Sequence, residues 1–262
     1  MKERTAVLGI DIQNDFTQST GALFVNGADA DVRRMATFIE EYGSSIDYVA
    51  LTADSHQPIH IANQHYWKDK EGYPPALFTT IHAEDLEQGK WMPQFNKDKA
   101  LSYLKALEAK GEVCTIWPAH CIQGSKGWSI NEILIKALYS WCINEGKTYD
   151  LFYKGMHQAT EHYSIFKAAV EYDDSEETKL NKRLLSKLEE FDKILIMGEA
   201  ADYCVANSLN DMLKAAPHLA KRIIVLTDCI SWINPENERA IKMYDDAKLQ
   251  GVRFATSDQF RD

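Results

Sequence analysis

The chain has 262 residues, 45% of them hydrophobic and 26% charged, which is enough to bury one large α/β core without disulfides or structural metals. A formal charge of −10, with no long run of lysine and arginine, argues against a nucleic-acid or anionic-membrane surface and favours a small-molecule partner. Five cysteines in no regular framework, no apolar run of membrane-spanning length, and an aspartate too early in "MKERTAVLGID" for a signal-peptide core predict a reduced, cytoplasmic protein.

In chain order, apolar runs that end in polar residues predict strands: "AVLGID" (6–11), "YVALTAD" (48–54), "VCTIWP" (113–118), "YDLFYKG" (149–155), "KILIMGE" (193–199), "RIIVLTD" (222–228) and "GVRFATS" (251–257). Helical periods lie between several of them. Val32, Met35, Ile39 and Tyr42 share one face, with Gly43 as a stop; Leu134, Ala137, Leu138 and Trp141 share another; Leu180, Leu184, Leu188 and Phe191 share a third. Val205, Leu209, Met212 and Leu213 form a fourth face, with Asp202 as the expected N-cap. Strands that are apolar throughout and alternate with helices predict a parallel sheet covered on both faces, in which ligands bind beyond the strands' carboxyl ends. One domain over 1–262 is expected, with the alternation broken by an insertion at about 61–111 that is rich in aromatics and ends in a helix near 100–109. A lid or a contact between copies in a homo-oligomer would suit that insertion.

Chemistry-bearing residues follow these runs. Cys204 sits where a strand turns into a helix, where free N–H groups and the helix dipole favour a thiolate. Asp11 ends the first run and is a candidate base; Lys154 ends "DLFYK" and could pair an acid or hold a thiolate ionised. In "DSHQPIHIANQH", Asp54 and His56 share a face of extended chain, and His60 lies four beyond His56. With His120, after the 113–118 run, they make a donor set suited to Zn, Mn or Fe(II). Each residue also has a plainer alternative: a cysteine that packs as a small hydrophobe, an acid that caps a turn, a lysine or loop histidine that is simply solvated.

Taken together, "DIQNDF", "TADSH", "WPAHCIQGSKG", "YKGMHQATEHYSIF" and "GEAADYCVANS" resemble, in order and position, the motifs of the isochorismatase-like cysteine hydrolases, and within them the nicotinamidases. The resemblance covers about 6–257. It implies a six-stranded parallel sheet with helices on both faces, a Rossmann-like three-layer sandwich, and a catalytic triad of Asp11, Lys154 and Cys204. It further implies one divalent ion (Zn, Fe or Mn) on Asp54, His56 and His120, with His60 an additional candidate, and no nucleotide cofactor. Phe16 and Trp117 would sandwich an aromatic ring, and Tyr203 would shape its site. A cis Glu199–Ala200 peptide and an oxyanion hole from the Ala200 and Cys204 N–H groups are implied as well.

The implied reaction is attack of Cys204 on nicotinamide, a thioester intermediate, and hydrolysis to nicotinate, with ammonia released, as in NAD salvage. A related amidase or ureide hydrolase acting on another small carboxamide or carbamoyl compound is the alternative. A dinucleotide-dependent oxidoreductase would need a glycine-rich turn after the first strand, which "GIDIQND" does not supply. Three features depart from the family pattern: the long insertion, the bulky Tyr203, and Glu199 where an aliphatic residue is expected. Cys114, Cys121, Cys142 and Cys229 read as structural.

Overall fold

The computed structural model describes residues 3–260. Six of the seven apolar runs form one all-parallel sheet: β1 (Thr5–Ile10), β2 (Tyr48–Asp54), β3 (Tyr149–Lys154), β4 (Lys193–Gly198), β5 (Ile223–Leu226) and β6 (Arg253–Ala255). Their order across the sheet is β6-β5-β4-β1-β2-β3. Alternation along each strand sends side chains to opposite faces. Ala6, Leu8, Ile10, Ile194 and Ile196 pack against α3 (Lys182–Glu189), α4 (Ala206–Ala215) and α5 (Glu238–Gln250), whereas Val7, Val49, Leu195 and Met197 pack against α1 (Ala28–Tyr42) and α2 (Glu132–Glu145). Because both faces are covered, the inner strands are buried almost throughout and mostly apolar, as expected from sequence.

The chain leaves β1 toward one face and β4 toward the other, although the two strands are hydrogen-bonded neighbours. That divergence opens a crevice at their carboxyl ends, the place where ligands bind in sheets of this kind. Gly198 closes β4 with φ +127°, and a Cβ there would lie 2.0 Å from the Ile10 carbonyl, so only glycine allows the two strand ends to come so close. The Glu199–Ala200 peptide that follows is cis.

Two local expectations are corrected. The 113–118 run is not a strand of the main sheet; only Cys114–Thr115 is extended, and it pairs antiparallel with Thr80–Ile81. Cys114 and Ile116 are buried in the insertion's own cluster rather than between helices, so a local run could not reveal which partner it had. Asp202 is not an N-cap. It lies inside a π-helical turn, Ala201–Val205, that precedes α4, and its carboxylate accepts hydrogen bonds from the N–H groups of Ile233 (2.9 Å) and Asn234 (3.0 Å).

The insertion has structure of its own. Ile61, Tyr66, Trp67, Ile81, Tyr103, Leu104, Leu107 and Ile116 make a separate apolar cluster, roofed by the helix Lys97–Glu108 and tied by a second two-residue ladder, Trp67–Lys68 with Met92–Pro93. It thus reaches a few residues beyond the expected end. No helix among the described residues is long and apolar enough to cross a membrane.

Candidate active site

Four strand ends supply the chemistry at the crevice. Asp11, the residue after β1, has φ +49°, a left-handed conformation that aspartate tolerates better than most residues. Thr52 of β2 fixes it twice, accepting a hydrogen bond from the Asp11 N–H (3.0 Å) and donating its own hydroxyl to Asp11 Oδ1 (2.6 Å). Lys154 closes β3 in register with Asp54 of β2, so the two side chains leave adjacent strands together. The Lys154 ammonium meets Asp11 Oδ2 at 2.8 Å, Asp54 Oδ1 at 3.1 Å and Cys204 Sγ at 3.4 Å. The structure therefore brings Asp11, Lys154 and Cys204 into one cluster, buried from solvent. Gly155 makes room for it: at φ +77°, an added Cβ would lie 2.4 Å from Asp54 Oδ1.

The charges are set by burial and by neighbours working against it. Burial raises the Asp11 carboxyl above its ordinary range, with Lys154 pulling it back and Asp54 adding to the rise. Burial also drives the Cys204 thiol well up, opposed by Lys154 and reinforced by Asp11 and Asp54. Burial thus favours the neutral thiol, while the neighbouring Lys154 favours the thiolate. Desolvation works against the Lys154 ammonium, but Asp11, Asp54 and Cys204 together hold it firmly charged.

Beside this cluster stand three histidines. Asp54 Oδ2 is 3.0 Å from His56 Nε2 and 3.4 Å from His120 Nε2. The other nitrogen of each ring faces a backbone carbonyl, His56 Nδ1 at 3.0 Å from Gly155 and His120 Nδ1 at 2.7 Å from Pro118. Rings tied in this way keep Nε2 free as a donor, the arrangement that metal-binding histidines use. The ligand atoms of Asp54, His56 and His120 lie within 4.8 Å of one another, close enough for a single divalent ion to engage all three. Burial tends to raise the Asp54 carboxyl, but His56 and Lys154 hold it well below the usual range; burial likewise pulls His56 down, and Asp54 lifts it to about 9. The His60 ring lies 4.4 Å from that of His56, tilted by 53°, with Nε2 at 3.1 Å from the Thr160 carbonyl and Nδ1 accepting from the Ala62 N–H at 3.3 Å.

The cavity over Cys204 is lined by Phe16, Trp117, Tyr163 and Tyr203 on its apolar side and by Asp54, His120 and Glu161 on its polar side. Its volume is about 20 Å³, room for one water molecule. Trp117 and Tyr203 meet edge to face with centroids 5.0 Å apart, while Phe16 leans on His120. Phe16, Trp117 and Tyr203 thus all line the cavity, with Tyr203 packed against Trp117. A groove of about 500 Å³ beside the insertion's helix Lys97–Glu108 is lined by none of these groups.

Several residues that matter here were not singled out from sequence. Gln13 brackets the Asp54 backbone, donating to its carbonyl (2.8 Å) and accepting from its N–H (2.7 Å). Tyr163 accepts a hydrogen bond from Trp117 Nε1 at 3.0 Å. Glu161, 4% exposed, adds a carboxylate to the cavity. Gln13 lies within "DIQNDF", and Glu161 and Tyr163 within "YKGMHQATEHYSIF", so the motifs contained them without marking their roles.

No family model matches the chain. Curated and solved relatives do. The nicotinamidase of Escherichia coli K12 is 26% identical over 254 residues, 96% of this chain and 94% of that protein. An Acinetobacter baumannii nicotinamidase/pyrazinamidase superposes with a TM-score of 0.67 at 23% identity, covering 99% of each chain. A zinc-bound pyrazinamidase from Pyrococcus horikoshii superposes with a TM-score of 0.56 at 18% identity, over 97% of this chain and 99% of that one. The chain has the isochorismatase-like fold that these proteins share, as its motifs suggested.

Proposed function

We propose that this chain is an isochorismatase-like cysteine amidohydrolase, a nicotinamidase, which converts nicotinamide to nicotinate and ammonia. The observation that carries the reading is one buried ammonium, Lys154, within 3.4 Å of Asp11, Asp54 and the Cys204 sulfur at once. Such a cluster can move a proton between a thiol and a carboxyl without exposing either to water.

In the first half-reaction Asp11 accepts the Cys204 proton, and the thiolate, steadied by Lys154, attacks the amide carbon. The N–H groups of Ala200 and Cys204 are assigned to the developing oxyanion. The turn around them is pinned, since Ala201 donates to the Ser231 carbonyl (2.8 Å) and both Tyr203 and Val205 donate to the Ala200 carbonyl (3.1 Å each). Collapse of the adduct breaks the C–N bond, and Asp11 passes its proton to the leaving nitrogen, so ammonia departs and a thioester remains. In the second half, Asp11 takes a proton from water as the oxygen attacks the thioester carbon. The sulfur leaves as thiolate and recovers the proton, which restores Cys204 and releases the acid. Asp54, His56 and His120 would hold a divalent ion, which when bound supplies positive charge and a docking point for the pyridine nitrogen; zinc is our assignment, in line with the Pyrococcus relative. Admitting the ring needs more room than the cavity of about 20 Å³ over Cys204 offers, and Tyr203, edge to face with Trp117 in the cavity wall, is the side chain we assign to give way.

The same reading makes a small amide the partner and the cytoplasm the compartment, in keeping with five unpaired cysteines. Ammonia release from nicotinamide, measured beside a Cys204→Ala variant and a panel of small amides, tests it. The expected result is turnover of nicotinamide that the variant lacks. Turnover of another amide with none of nicotinamide overturns the substrate, and an active variant overturns the nucleophile.

A further inference from the structure

Glu161 is not used by the mechanism above. It enters the cavity from the loop after β3, is almost fully buried, and makes no ion pair among the described residues. One carboxylate oxygen accepts a hydrogen bond from the His162 N–H at 2.8 Å, which fixes the side chain and leaves the other oxygen for a partner. Asp11 and Asp54 already converge on Lys154, the one buried lysine or arginine among the described residues, and Glu161 is a further buried carboxyl with no cation of its own. A site with that balance favours an added cation.

The ligand atoms of Glu161, His56 and His60 lie within 4.8 Å of one another. All three side chains are buried, and they come from different parts of the chain: His56 just after β2, His60 from the following loop, Glu161 from beyond β3. The tautomers suit a metal. With the His56 Nδ1–H on the Gly155 carbonyl and the His60 Nε2–H on the Thr160 carbonyl, the lone pairs fall on His56 Nε2 and His60 Nδ1. The single bond on His60 Nδ1, from the Ala62 N–H, is long at 3.3 Å and is the one that an ion would replace. Two imidazoles and a carboxylate are a complete donor set for Zn, Fe(II) or Mn(II).

We propose that His56, His60 and Glu161 form a second position for a divalent transition-metal ion, beside the Asp54–His56–His120 position. The two share His56 Nε2, so one ion per chain is held at one position or the other. This rests on the reading that the cavity binds a divalent ion and is independent of the substrate.

Metal-free full-length protein titrated with Co²⁺ tests it, read by visible ligand-field absorption and by competition with a chromophoric chelator. His120→Ala is expected to retain one Co²⁺ per chain with a changed spectrum, and adding Glu161→Gln to that variant is expected to weaken binding by more than about 100-fold. Glu161→Gln alone is expected to alter the spectrum of the otherwise intact protein, which keeps the question answerable where His120→Ala does not fold. A His120→Ala protein that folds but binds no Co²⁺, or binding that Glu161→Gln leaves unchanged in both backgrounds, overturns the second position. Absence of Co²⁺ binding by the unaltered chain overturns the metal reading of the cavity and this inference with it.

Discussion

Two buried carboxyl pairs lie on either side of the nucleophile turn, and they are handled in opposite ways. In front, Asp11 and Asp54 converge on the Lys154 ammonium. Behind, Glu199 and Asp31 face each other across the cis turn: Ser231 donates its N–H to Glu199 Oε2 (3.1 Å) and its hydroxyl to Asp31 Oδ2 (2.5 Å), and Arg34 reaches Asp31. Burial drives Glu199 well above the usual carboxyl range, and the Asp31 charge adds to the rise. The front pair shares one buried cation, whereas in the rear pair only Asp31 meets a cation, Arg34, and burial favours the neutral form of Glu199. Equal burial therefore does not give equal chemistry; what faces each carboxyl decides whether it can exchange a proton during a reaction or only hold one.

The strongest way to break the contrast is to remove the front cation. Lys154→Met leaves Asp11 and Asp54 buried without their ammonium and should lower stability by about 3–5 kcal/mol, with amide turnover falling by at least about 10³-fold. Urea unfolding and kcat/KM report both, and near-normal turnover would remove Lys154 from the mechanism. Next in size, Asp11→Asn keeps the shape but cannot carry a proton, so turnover should fall about 10²–10⁴-fold with metal affinity unchanged.

A smaller change sharpens the comparison. Thr52→Val deletes the hydroxyl that donates to Asp11 and should cost about 1.5–3 kcal/mol. That bond lowers the Asp11 pKa, so its loss should move the acid limb of the pH–rate profile to higher pH. An unmoved limb would mean that Asp11 is not the titrating group.

The smallest effect concerns the rear pair. Glu199 has a folded pKa raised above its unfolded value, so its contribution to stability is complete below the unfolded pKa and is lost as pH rises toward the folded one. Glu199→Gln removes that dependence. The melting temperature of the variant relative to the unaltered protein should therefore increase from about pH 5 upward. A difference that stays flat or shrinks with pH would show that Glu199 is ionised in the folded state.

The sequence by itself determined the sheet and the placing of its reactive ends. A parallel strand covered on both faces is mostly apolar, and the polar residue at its carboxyl end lies at the rim; that is how Asp11 and Asp54 could be read from runs of a few residues, with Lys154 closing the half-exposed edge strand in the same way. The helices α1, α2 and α4 were legible for the same local reason, since one face of each repeats at the helical period. Tertiary structure alone decided what met at that rim. The β2–β3 register sets Lys154 beside Asp54, the divergence of β1 and β4 brings Cys204 to Asp11, and an irregular path rather than a main-sheet strand carries His120 to the same place. Glu161 and Glu199 look alike in sequence as acids beside motif residues, yet one enters the cavity and the other is buried against the Ser231 N–H. Register, chain crossing and desolvation are properties of segments brought together from far apart, and no local pattern records them.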